Sequence, residues 1–358
     1  MAHQASPLAR YLCAAYALLV IYGSLHPFSG WSDRGVAPFA FLSAQWPRYV
    51  TAFDLAANVV AYAPLGLLIA LALYPLARGT LAVVVAALAG VLLSLAMESL
   101  QTFLPARIPS NLDVLSNGAG VLLGALAGAL WAPRLLHQSP LLALRYRWFL
   151  AGRGADLGLT LLGLWLFTQL DPETLLFGVG DLRHLFQDPP ALLYPADTFI
   201  RIEAAVAACN LLAVALFAAA LVVPDRPLRS LVVVLLASAL VVRALAFSVL
   251  FNTGAVLLWL TPGALIGLAA GLVFAMLAVT LPRPFKLALA GMALMAATAL
   301  VNLAPANPYL AQSLQVWPQG NFLNFNGLTH LVSGLWPFAA LAHLLLAASG
   351  GPKSDTNS

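Results

Sequence analysis

The chain reads as an all-α, polytopic transmembrane helical bundle of about ten spans, on three observations. It is 62% hydrophobic and 8% charged, with a mean hydropathy of +0.91, against about 25% charged residues in an ordinary soluble domain. Apolar runs of about 17–25 residues, the length that crosses a bilayer, recur from one end to the other. Basic residues gather in alternate loops, the pattern that sets orientation in a membrane.

Spans are predicted at 8–25, 51–75, 80–103, 114–132, 156–170, 199–223, 229–250, 255–280, 285–304 and 328–348. The first contains Arg10 near its start and is followed by Tyr22-Gly-Ser-Leu-His26-Pro27 rather than a small-residue cleavage site, so it reads as an uncleaved first helix. Asp54 begins the second, Glu98 and Gln101 end the third, and Asp113 begins the fourth. The fifth is the shortest of the ten. The sixth carries Glu203, the seventh carries Arg243 at mid-span, and His330 falls near the outer end of the tenth. Cys13 and Cys209 lie inside apolar spans, where neither spacing nor context points to a disulfide or a metal.

With the N-terminus inside and the spans alternating, the inner segments hold Arg10, Arg78, Arg134, Arg145, Arg147, Arg153, Arg226, Arg229, Arg283, Lys286 and Lys353. The outer segments hold only Arg34, Arg48, Arg107, Arg183 and Arg201. The expected topology is therefore N-in and C-in. The sequence pI near 9.3 then reflects topology and implies no nucleic-acid partner. The organisation expected is a four-helix unit over 1–135, a basic cytoplasmic loop over 136–155, and a six-span region over 156–358. Two outer loops of that region, 171–197 and 304–326, are long and Pro-rich, and the second is rich in Asn and Gln. Trp31, Trp46, Trp317 and Trp336 are expected at the interfaces. A faint internal echo lays 226–270 over 81–125 without repeating the polar residues.

An ionisable group at membrane depth costs roughly 2.5–3.5 kcal/mol by insertion scales, so the polar residues of spans two to four need a reason. Asp54 and Asn58 are spaced i,i+4, Glu98 and Gln101 i,i+3, and Asp113 and Asn117 i,i+4, so each pair shares a helix face. Topology brings the three faces to one depth, at the outer helix ends. Arg107 is the one cation in the hairpin between spans three and four. Gly120, Gly124 and Gly128 line one face of span four and permit close helix approach.

The pattern Asp54-x3-Asn58-x5-Pro64-Leu65-Gly66, then Glu98-x2-Gln101-x5-Arg107-x5-Asp113-x3-Asn117-x2-Gly120-x3-Gly124, resembles the VanZ-like family over about residues 10–132. That family tends to carry an Asp three residues after the Arg, where this chain has Ser110. The resemblance implies an integral protein of the bacterial cytoplasmic membrane, and a link to teicoplanin-type antibiotic resistance through the founding member. It supplies no reaction.

The leading expectation is a polar pocket at the exoplasmic surface that binds or shields a membrane lipid head group or a lipid-linked cell-wall precursor. Arg107 would meet phosphate, and Asn58, Gln101 and Asn117 would meet sugar or amide groups, with Asp54, Glu98 and Asp113 completing the site. Three other readings stand beside it: an ion-pair knot that locks the helices, an intramembrane acid/base enzyme, and a secondary transporter using Arg243 with Glu203 as partner. No His cluster, Ser/His/Asp pattern or phosphate loop accompanies the acids, so no catalytic residue, metal or cofactor is expected. The ligand and the oligomeric state are not specified by the sequence.

Overall fold

A computed structural model describes residues 6–47, 51–138, 140–183, 195–250, 256–304 and 323–349. The Asp188-Pro-Pro190 segment, the stretch 305–322 with Trp317, and the basic residues Arg48 and Lys353 lie outside the described residues. The chain is all-α and divides into two units, Met1–Arg147 and Trp148–Ser358.

The first unit contains α1 (Pro7–Leu25), α2 (Ala52–Leu73), α3 (Gly79–Gln101) and α4 (Asn111–Pro133), followed by α5 (Pro140–Trp148). Local chemistry fixes the starts. Ser6 accepts the Ala9 N–H and Pro7 occupies the first turn of α1. Thr51 and Asp54 form a reciprocal capping box on α2. Ser110 caps α4 by accepting the Leu112 N–H at 3.1 Å. These helices are apolar nearly all round, and leucines such as Leu88 and Leu92 of α3 are about 60% exposed, as lipid-facing side chains would be.

The second unit contains α6 (Arg153–Thr168), α7 (Ala196–Ala220), α8 (Leu228–Leu250), α9 (Pro262–Ala278), α10 (Arg283–Leu303) and α11 (Leu323–Ser349). Its centre is α7, whose side chains from Ala213 to Ala220 are buried on every face of the helix, the condition of a helix enclosed by others. It packs against α8, α9 and α10. Hydrogen bonds from Leu150 N–H to Leu221 O and from Val223 N–H to Trp148 O tie the start of this unit to the end of α7.

Among the described residues, eight helices are long and apolar enough to cross a membrane, so the chain is a multi-pass membrane protein. Two of the ten expected spans are short: α6 has 16 residues and α9 has 17, about 24 and 26 Å at 1.5 Å per residue, at the lower end of the spanning range. The apolar run from 255 begins its helix late because Thr261 caps the Ala264 N–H and Pro262 opens the first turn. α6 ends early in tight turns, with Gln169 N–H on Leu166 O and Leu170 N–H on Phe167 O.

Candidate functional site

Helices α2 and α4 make the most extensive contact of the first unit, and glycine makes it possible. A Cβ on Gly120, Gly124 or Gly66 would overlap the carbonyl oxygen of Val59, Ala63 or Val121, respectively. One on Gly128 would lie 2.8 Å from Leu67 O, and one on Gly90 of α3 would lie 2.5 Å from the Val121 side chain. Pro64 sits inside α2 on the same stretch. Backbones at this distance gain dispersion contacts that lipid cannot match, and they bring the polar ends of α2, α3 and α4 together.

The polar residues then divide into an inner lock and an outer face. Glu98 is 4% exposed and its Oε2 accepts the Ser110 backbone N–H at 2.8 Å. The last turn of α3 thus satisfies a donor at the start of α4, where the helix dipole favours an anion. Gln101 Nε2 donates to Ser24 O at 2.9 Å, at the end of α1. Arg107 donates from Nε to His26 O at 2.9 Å and from Nη2 to Gly23 O at 2.9 Å and His26 O at 2.7 Å. Its fork therefore closes the C-terminal carbonyls of α1, which carry the negative end of that helix. Burial pulls the Arg107 pKa down, and the Glu98 carboxylate pushes it back up. Asn117 Nδ2 donates to Ser94 Oγ at 2.9 Å, while its Oδ1 is buried with no hydrogen bond among the described residues.

The outer face belongs to Asn58 and Asp113. Asn58 Nδ2 donates to Asp113 Oδ1 at 3.0 Å and to Ser116 Oγ at 3.3 Å, and Ser116 Oγ donates to Asp113 O at 3.1 Å. Asn58 and Asp113 are both half-buried, so a carboxylate and a carboxamide remain accessible at the α2–α4 seam. Asp54 stands apart. It is exposed, and its carboxylate accepts from Thr51 N–H at 3.0 Å and Thr51 Oγ1 at 2.8 Å, a local helix cap.

Sequence reasoning missed Ser94, Ser110, Ser116 and Tyr62, whose buried ring lies within electrostatic range of Glu98 and Asp113. Helical spacing could have found three of them, because Ser94 is four residues before Glu98, Ser116 three after Asp113, and Tyr62 four after Asn58. Ser110 stands where the VanZ-like pattern favours Asp, and it is the N-cap of α4. Ser and Asp serve that position about equally, so the departure preserves the cap.

The second unit holds a separate polar cluster. Arg243 is 2% exposed and donates to Asp171 O, to Thr174 O and to Thr174 Oγ1. The expected pairing with Glu203 is therefore corrected: Glu203 Oε1 accepts from Thr261 Oγ1 at 2.6 Å instead. The turn after α6 exposes carbonyls that a buried cation satisfies better than a distant acid. His330 bridges two carboxylates, with Nε2 2.7 Å from Glu173 Oε2 and Nδ1 3.5 Å from Asp171 Oδ2. Asp171 is fully buried and burial pushes its carboxyl up. Trp336 is not an exposed belt residue. It is 3% exposed and donates from Nε1 to Leu161 O at 2.7 Å, whereas Trp31 and Trp46 are exposed. Among the described residues no group of His, Cys, Asp and Glu is arranged to hold a metal ion.

A family model described as VanZ/LLP1 matches residues 9–132. The matched segment contains nearly all of α1 and α4, all of α2 and α3, and every residue of the first unit's polar cluster. No curated protein matches the chain, and no solved structure does.

Proposed function

We propose that the VanZ-like segment, residues 9–132, binds the polar head of an envelope lipid or a lipid-linked cell-wall precursor at the exoplasmic face of the bacterial cytoplasmic membrane. The observation that carries this reading is the Asn58–Asp113–Ser116 group at the α2–α4 seam, in which Asn58 and Asp113 are half-buried and Ser116 is buried. It offers carboxylate and carboxamide atoms next to lipid, where an unused polar group is costly. Such atoms recognise hydroxyl and amide groups, the chemistry of sugar and peptide head groups. Arg107 contributes its charge while its fork organises α1, Glu98 and Gln101 hold the helix ends in register, and Asn117 supports the seam from beneath. Binding of a wall precursor would also connect this segment to glycopeptide sensitivity of the teicoplanin type.

Native mass spectrometry of the purified chain, wild type beside Asp113→Ala and Asn58→Ala, tests the reading. The expected result is a co-purifying lipid on the wild type that is depleted from both variants while their melting temperatures stay near the parent's. Identical spectra from all three equally stable proteins would remove the outer face as a binding site. The polar cluster would then be a structural lock throughout.

A further inference from the structure

The second unit repeats the construction of the first with different polar residues. Gly263, Gly267 and Gly271 of α9 press against Ile200, Ala204 and Ala208 of α7, as Gly120, Gly124 and Gly128 of α4 press against α2. At the start of this pair lies a cavity of about 60 Å³. Its polar wall includes Glu173, Asp181, Arg183 and Glu203, and its apolar wall includes Phe199, Ile202 and Val301.

Charge pairing singles out one of the acids. Arg183 Nη2 lies 2.5 Å from Asp181 Oδ2, and Glu173 is paired with His330. Glu203 is 7% exposed. Its Oε1 takes the Thr261 hydroxyl, and its Oε2 accepts no hydrogen bond among the described residues. It lines the cavity, where the cation of the wall, Arg183, is engaged by Asp181 and by the Ala304 carbonyl. A buried carboxylate without a counter-ion is costly, and a cation in the cavity would relieve that cost. A hard inorganic ion requires a shell of oxygen ligands, which Phe199, Ile202 and Val301 do not supply. At about 10–15 Å³ per water-sized probe, the volume holds roughly four to six non-hydrogen atoms.

We infer that this cavity binds a small alkylammonium cation, with its nitrogen on the Glu203 carboxylate and its chain against Phe199, Ile202 and Val301. An apolar wall facing an uncompensated carboxylate matches that ligand at both ends.

The test is isothermal titration of the full chain in nanodiscs with n-butylammonium chloride, at constant ionic strength made up with sodium chloride. 1-Butanol, which has the same number of non-hydrogen atoms and no charge, serves as the control. Saturable binding of n-butylammonium and none of 1-butanol is expected. Glu203→Gln keeps an acceptor for Thr261 and removes the charge, so it is expected to weaken binding about tenfold or more. Ile202→Trp leaves the carboxylate and fills the space of the chain, and is expected to abolish binding. It also decides the matter if Glu203→Gln fails to fold. No saturable binding to the wild type, equal binding to either variant, or displacement by raised sodium at fixed ionic strength would overturn the inference.

Discussion

Replacing Arg107 with Ala separates a scaffold role from a ligand role, because the geometry of that side chain sets the magnitude in advance. Among the described residues, two of its nitrogens make three hydrogen bonds to the Gly23 and His26 carbonyls at the end of α1. A hydrogen bond to a charged group contributes about 1.5–3 kcal/mol where it is buried. Arg107 is half-buried, so water recovers part of the loss, and the lower end applies to each of the two carbonyls. The expected destabilisation is about 2–4 kcal/mol, including the lost complement to the α1 dipole. Arg107→Lys keeps the charge and loses the fork, so it should recover about half of this. Equilibrium unfolding in mixed micelles reads the energy, and hydrogen exchange over residues 22–28 reads its location. Wild-type stability with unchanged exchange in that segment would refute the capping role. Loss of bound lipid from such a stable variant would return Arg107 to the ligand site.

Glu98→Gln should cost little, because the amide oxygen still accepts the buried Ser110 N–H, whereas Glu98→Ala should cost about 1–3 kcal/mol by the same unfolding assay. Gly124→Ala must force α2 and α4 apart, since the new Cβ overlaps the Ala63 carbonyl; a loss of at least about 1–3 kcal/mol is expected, with little change for Ala at the open Gly163 as the control. Asp171→Asn should alter the pH dependence of stability. Burial raises the Asp171 pKa above 3.8 in the folded chain, so its contribution is fully present below that value and lost as pH rises through the folded one. Asn keeps the acceptor for the Glu173 N–H and removes that slope, which unfolding measured across a pH series reports. Equal slopes for the two proteins would place the titration elsewhere.

Most helices were legible because each is a long apolar run; the nine-residue α5, with Arg145 and Arg147, falls in the stretch expected as a basic loop, and the caps Thr51 with Asp54 and Ser110 were not read from the sequence. One helix was misjudged in length: a span was expected over 255–280 where α9 runs Pro262–Ala278. Continuous hydrophobicity hides where a helix begins, and in α9 the start is set by Thr261 and Pro262 inside the run. In the candidate site, i,i+4 spacing placed Asn58 beside Asp54 and Asp113 beside Asn117 on their faces. It did not show that Asn58 reaches across to Asp113 while Asp54 turns back to Thr51. Trp336 was misplaced for a related reason: an indole at a span's end looks the same in sequence whether its N–H meets water or the Leu161 carbonyl.

By itself the sequence determined an all-α multi-pass membrane protein and a VanZ-like polar pattern in its first four helices, because hydrophobic run length and helical spacing are properties of neighbouring residues. Only the tertiary structure decided what each polar group does. Arg107 meets carbonyls more than 80 residues away, Arg243 meets a turn about 70 residues away, and His330 meets Glu173 across 157 residues. Backbone acceptors occur at every position and leave no mark in the sequence, so a buried cation's partner is fixed only when packing brings one orphan carbonyl within its reach.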